Sequence, residues 1–124
     1  MAYRENNYIL LKKTGVNLKS PGAQLLFPSY IKRMISIKVT MIIEQATSVT
    51  GTPTFSVGTN ASSYNNILGS SSTSGVNSVN AFRTFTAESQ IISPSTNIYL
   101  NITVEGISTG AFTATFLLEG YFLP

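Results

Sequence analysis

"MISIKVTMIIEQ", residues 34–45, decides how this chain folds. Ile35, Ile37, Val39, Met41 and Ile43 alternate with Ser36, Lys38, Thr40 and Glu44, and only Ile42 breaks the pattern. Alternation of period two, rich in β-branched residues, marks a strand with one buried face; a helix would repeat its apolar residues at i, i+3, i+4 and i+7. The expectation is a strand whose odd-numbered residues from Ile35 to Ile43 meet a core.

Working outward, "NIYLNITVEG" (97–106) places Ile98, Leu100, Ile102 and Val104 on one face, with Tyr99, Asn101, Thr103 and Glu105 on the other. "AFTATFLLEGYFL" (111–123) does the same with Phe112, Ala114, Phe116 and Leu118. The link between these two runs, "EGISTGA", holds Gly106 and Gly110 and predicts a hairpin loop. "YILLKK" (8–13), "AQLLF" (23–27), "TFSVG" (54–58), "AFRTFTA" (81–87) and "QII" (90–92) read as shorter strands. Ser20-Pro21-Gly22, Pro28-Ser29, Gly51-Thr52-Pro53 and Ser93-Pro94-Ser95 supply the turns between them. Seven to eight such strands predict an all-β chain, a single antiparallel sandwich or barrel.

The residue types absent from the chain exclude much chemistry. His, Cys and Asp do not occur, so no Ser–His–Asp triad, no Cys–His nucleophile and no ordinary zinc site is available. The five glutamates stand singly, and Glu105 and Glu119 fall on solvent faces of their strands. "GSSSTSG" lacks the Gly-Lys-Ser/Thr ending of a phosphate loop. No enzyme, cofactor or metal is expected. The polar opening "MAYRENNY" predicts no signal peptide, and no apolar run approaches the roughly 18–20 residues a membrane span needs.

Charge is unevenly placed. Residues 1–38 hold Arg4, Lys12, Lys13, Lys19, Lys32, Arg33 and Lys38 against Glu5, whereas residues 39–124 hold Arg83 against Glu44, Glu88, Glu105 and Glu119. A basic end suits an acidic protein surface or nucleic acid. Lys12 and Lys13 point to opposite faces of one strand, so a nucleic-acid footprint is not expected. Residues 1–22 read as a basic N-terminal arm or as an edge strand, and 23–124 as the sandwich domain. In the arm reading Arg4, Lys12, Lys13 and Lys19 are the contacts to a partner, with "YILLKK" adding to a neighbouring sheet edge.

From Gln45 through Phe82 there is no charge at all. Phe55, Val57, Tyr64, Ile67, Leu68, Val76, Val79 and Phe82 recur through this stretch, which predicts a loop tied to a sheet instead of a free tether. "GSSSTSG" (69–75), with no anchor inside it, is expected to be its loose tip. Tyr64 is a candidate loop anchor or a candidate ligand contact. Ile42, Leu117, Tyr121 and Leu123 lie on nominal solvent faces and favour association.

"PTFSVGTNASSYNNIL" (53–68) and "NIYLNITVEGISTGAFTATFLLEGYF" (97–122) resemble small jelly-roll modules of tailed-bacteriophage virions, in their F-S-V-G-T strand end, Tyr-Asn-Asn-Ile loop and closing strands. The resemblance implies a jelly-roll-like sandwich acting as a capsid decoration (cement) protein on the outer surface of the virion. A receptor- or carbohydrate-binding module of a head or tail fibre is the alternative it leaves open. It also implies a homotrimer and a partner in the major capsid protein or another virion protein.

Overall fold

The alternating runs become strands of two antiparallel sheets packed face to face. The computed structural model describes residues 8–28, 32–88 and 90–123. Sheet A holds β1 (Tyr8–Asn17), β11 (Phe112–Phe122), β3 (Met34–Ala46) and, along the far edge of β3, β7 (Phe82–Thr86) and the two-residue β8 (Ile91–Ile92). Sheet B runs β2 (Gly22–Phe27), β9 (Ile98–Val104), β5 (Thr54–Gly58) and β6 (Leu68–Ser72). A small ribbon of β4 (Val49–Gly51) and β10 (Ile107–Ser108) stands apart. The chain steps repeatedly between the sheets, and the orders β1-β11-β3-β7 and β2-β9-β5-β6 are those of a jelly roll.

The core lies between the inner faces. Phe112, Ala114, Phe116 and Leu118 are fully buried, as are Leu100, Phe55 and Met41. Phe55 joins the two sheets, meeting Phe116 edge-on at 5.3 Å between ring centroids and Phe85 at 5.5 Å. Such contacts add to the area term that holds sandwiches together.

Three expectations need correction. First, Ile35 and Ile37 do not face the core; Met34 and Ser36 do. Lys38 pairs with Glu119 and Ser36 with Gly120, so Ile37 is an extra residue, a β-bulge that inverts the alternation N-terminal to it. Gly120 sits opposite this bulge because a Cβ there would overlap the Ile35 carbonyl oxygen. The buried Ser36 hydroxyl donates to the Glu88 carbonyl at 2.9 Å, which makes its inward position tolerable.

Second, "EGISTGA" is not a hairpin. β9 is flanked by β2 and β5 in sheet B and β11 by β1 and β3 in sheet A, so the segment crosses between sheets. Its glycine serves close approach: a Cβ on Gly106 would lie 2.8 Å from the Phe112 ring and 3.0 Å from the Leu18 carbonyl oxygen. Third, "GSSSTSG" is not a loose tip. Gly69–Ser72 belong to edge strand β6 on β5, and Thr73 is fully buried, its hydroxyl donating to the Pro53 carbonyl at 3.0 Å. Small side chains hide a strand from a hydrophobicity pattern, and the backbone ladder forms without them.

"YILLKK" begins β1, which pairs along β11 from Tyr8↔Tyr121 to Asn17↔Thr113 as the edge of its own chain's sheet. Ile9 and Leu11 enter the core, and a bulge at Thr14–Gly15 returns Val16 to it.

Candidate functional site

The outer faces of the two sheets carry the chain's exposed apolar and charged side chains. Among the described residues no three of His, Cys, Asp and Glu gather to hold a metal, and no helix is long and apolar enough to cross a membrane. A shallow polar cleft of about 230 Å³ lies between Val49–Thr52 and Ser74–Asn77, lined by backbone and small side chains.

The outer face of sheet B is partly covered by its own chain, over β5 and β9, while Leu25 of β2 is 44% exposed. Leu25, Tyr99 and Gly58 stand in one cross-strand row; Ala23, Asn101 and Ser56 stand in the next. Residues 59–66 fold back over Gly58 and Ser56. The Ser63 carbonyl accepts from Ser56 Oγ at 3.3 Å and from Asn101 Nδ2 at 3.2 Å. The Tyr64 ring lies against Tyr99 at 4.7 Å. Asn60 Oδ1 accepts from the Asn65 and Asn66 amides at 2.8 and 3.2 Å, while Asn66 Oδ1 accepts from the Thr59 amide at 2.8 Å. This amide staple holds Tyr64 at φ 47°, a left-handed conformation unusual for an aromatic residue. The loop fits so closely that a Cβ on Gly58 would come within 2.6 Å of the Asn65 nitrogen.

Sheet A is open. Tyr8, Tyr121, Ile35 and Ile91 form a continuous apolar row across its outer face, with Tyr8 and Tyr121 in edge contact at 5.7 Å. Leu10 stands beside this row and Leu117, Ile42 and Phe82 further along; Leu10 is 50% and Phe82 67% exposed. Both carboxylates of the face are held by their own chain. Glu119 accepts the Tyr8 hydroxyl at 2.8 Å, and Glu44 accepts the Thr115 hydroxyl at 2.7 Å and the Gly15 amide at 2.8 Å. The hydrogen bond to Glu119 is the main cause that raises the Tyr8 pKa above the usual tyrosine value.

The four cations singled out from the sequence separate here. Lys12 and Lys13 are exposed on β1, their ammonium groups without a partner among the described residues. Lys19 is tied inward, its Nζ donating to the Gly110 carbonyl at 2.9 Å. Arg4 lies outside the described residues. Tyr64 packs on sheet B, whereas Lys12 and Lys13 lie on β1 of sheet A and Lys19 in the turn that follows it, so no single site unites these positions. Two contributions escaped the sequence pattern. Ile35 and Ile91 are half-exposed or exposed members of an apolar row and Leu10 is exposed beside it, a fact that only register reveals. Arg83 of β7 reaches to the edge of sheet B and donates to the Ser72 and Ser74 carbonyls at 3.2 and 2.9 Å, closing that side of the sandwich.

No protein-family profile and no curated protein sequence matches the chain. Solved structures do. A chain in the acidic stable capsid structure of Helicobacter pylori bacteriophage KHP30 superposes with a TM-score of 0.64 at 18% identity, covering 94% of this chain and 88% of that one. A chain of the cyanophage Pam1 capsid asymmetric unit gives 0.55 at 16% identity, covering 94% and 82%. The fold is one that phage capsids contain. Both likenesses run nearly end to end, so the matched chains are themselves single modules of about this size.

Proposed function

We propose that this chain is a non-enzymatic structural protein of a phage virion, a capsid decoration protein seated on the outer surface of the assembled shell and stabilising it. The observation that carries the proposal is the end-to-end likeness to whole chains of two phage capsid structures. The absence of His, Asp and Cys from the sequence supports a role without chemistry. A large open sheet face with apolar and unpaired cationic groups supports a role in docking. The working assembly is a homotrimer, with the major capsid protein as partner.

Electron microscopy of the virion tests this. Density fitting the sandwich, repeated over the shell, is the expected result, together with earlier heat rupture of particles made without the chain. Finding the chain only in the tail, or absent from purified particles, overturns the proposal. A fibre module that binds sugar is less well served, because one face of Tyr64 is taken by Tyr99.

A further inference from the structure

We propose that the outer face of sheet A is a two-fold interface, covered by the same face of a second copy of this chain. The inference goes beyond the virion role proposed above and is tested on purified protein alone.

The first ground is shape, and it comes from register. Two rows cross the middle of the face: Lys12–Leu117–Thr40–Thr84 and, beside the bulge of β1, Thr115–Ile42–Phe82. Large and small side chains alternate there as on a chequerboard. Leu117 stands beside Thr40 in one row, and Ile42 stands beside Thr115 in the next. Thr40 and Thr115 are only 8 and 7% exposed, pits between the half-exposed knobs of Leu117 and Ile42. A two-fold axis running along the strands, between β11 and β3, sets each of these strands against the other's copy. Each Leu117 then enters the other copy's Thr40 pit, and each Ile42 the other copy's Thr115 pit. The same operation lays Tyr121 on Ile35, Tyr8 on Ile91 and Phe82 on the bulge at Gly15. Reciprocal contact of this kind, residue i on j and j on i, is what an isologous interface requires.

The second ground is charge. Lys12, Lys38, Glu44 and Glu119 leave the face neutral, so neither an acidic nor a basic surface matches all of it. A second copy in this arrangement does. Lys38 stands next to Glu119 in register but makes no hydrogen bond or ion pair among the described residues, while Glu119 Oε1 accepts the Tyr8 hydroxyl. The two-fold brings each Lys38 to the other copy's Glu119. Lys12 falls over Thr84 and Glu44 over the Thr113–Thr115 stretch, so no like charges are opposed.

The area also suffices. Four strands at sheet spacing and as long as β11 span roughly 19 by 36 Å, or about 700 Å² per copy. Two such faces give about 1,400 Å², inside the roughly 1,200–2,000 Å² of a stable interface.

Sedimentation of purified protein at micromolar concentration reads the contact as a doubling of mass. A trimer's three-fold contact uses other surfaces, so the doubling is counted against the unit that the variants leave. Lys38→Glu and Glu119→Lys each oppose like charges and are expected to weaken the pairing at least about tenfold. Mixed in equal amounts, the two variants restore the doubled species, because each copy then offers the charges that the other needs. Wild-type protein with the same mass as its single variants overturns the inference. So does a mixture that stays apart although each variant keeps its β-sheet circular dichroism. Leu117→Glu, which drives a charge into the other copy's pit, gives the same reading should either charge variant fail to fold; retention of the wild-type mass then overturns the inference. None of these outcomes involves particles, so a failure here leaves the decoration role standing, and absence of the chain from virions leaves this contact standing.

Discussion

Every charged residue carried by a strand of the sandwich lies in sheet A, and the four strands of sheet B have none. A sheet exposed on one face must solvate that face or cover it. Sheet B is covered in part, over β5 and β9, by a loop as uncharged as itself: the Ser63 carbonyl accepts from Ser56 Oγ and Asn101 Nδ2, and the side-chain oxygens of Asn60 and Asn66 accept from the Asn65 and Thr59 amides. Sheet A is solvated instead, by Lys12, Lys38, Glu44 and Glu119, yet it keeps an apolar row between them. The difference separates a finished surface from an unfinished one. Ions screen lysine and glutamate; they do little to a network of neutral amides.

The strongest way to break the comparison is to cut what both faces share. Phe55→Ala removes the ring that touches both Phe116 and Phe85, and should cost about 3–5 kcal/mol, read as a lower midpoint in denaturant with both sheets lost together. Gly58→Ala should act on sheet B alone. Its new methyl group has to displace the backbone at Tyr64–Asn65, at about 2–3 kcal/mol, and faster hydrogen exchange at the Asn65, Asn66 and Ile67 amides should leave β11 protected. Arg83→Ala releases two carbonyls at the seam between the sheets and should cost about 1–2 kcal/mol, with exchange rising first in β6.

Leu10→Thr on the open face is expected to stay within about 0.5 kcal/mol of wild type, measured by thermal melting. A large loss there would mean that the face is part of the monomer's own packing. The smallest effect is at Tyr8. Its pKa is raised in the folded chain by the hydrogen bond to Glu119, so whatever this bond contributes is present below the unfolded tyrosine pKa and is lost as pH rises through the folded value. Ultraviolet titration should show a late-ionising component that Tyr8→Phe lacks.

The sequence discloses strands where side chains alternate and is silent where they do not. β3, β9 and β11 are visible because Val39, Leu100 and Phe116 each repeat a partner two residues away. β6 is invisible because Gly69 to Ser72 offer only hydrogen-bonding backbone. The bulge at Ile37 is equally hidden: a single extra residue changes no composition, only the face to which Ile35 points. Anchoring of the neutral stretch is readable from Phe55, Tyr64 and Ile67, but the partner of Tyr64 is not, since Tyr99 looks like an ordinary outward residue of its strand. The open face is the least legible part. Leu10, Tyr121, Ile35 and Ile91 come from four separate strands, and only their register makes them neighbours.

β11 lies between β1 and β3, although it is synthesised after both. Until it leaves the ribosome, sheet A has a gap at its centre, and the inward residues Leu11 and Val39 have no strand between them. Such long-range closure makes folding slow compared with a chain of local contacts, and it leaves the partly made chain in need of protection from aggregation. The row that runs from Tyr8 to Ile91 passes through Tyr121, so a nascent or C-terminally clipped subunit cannot assemble it, and only a chain translated through its last strand carries the complete face.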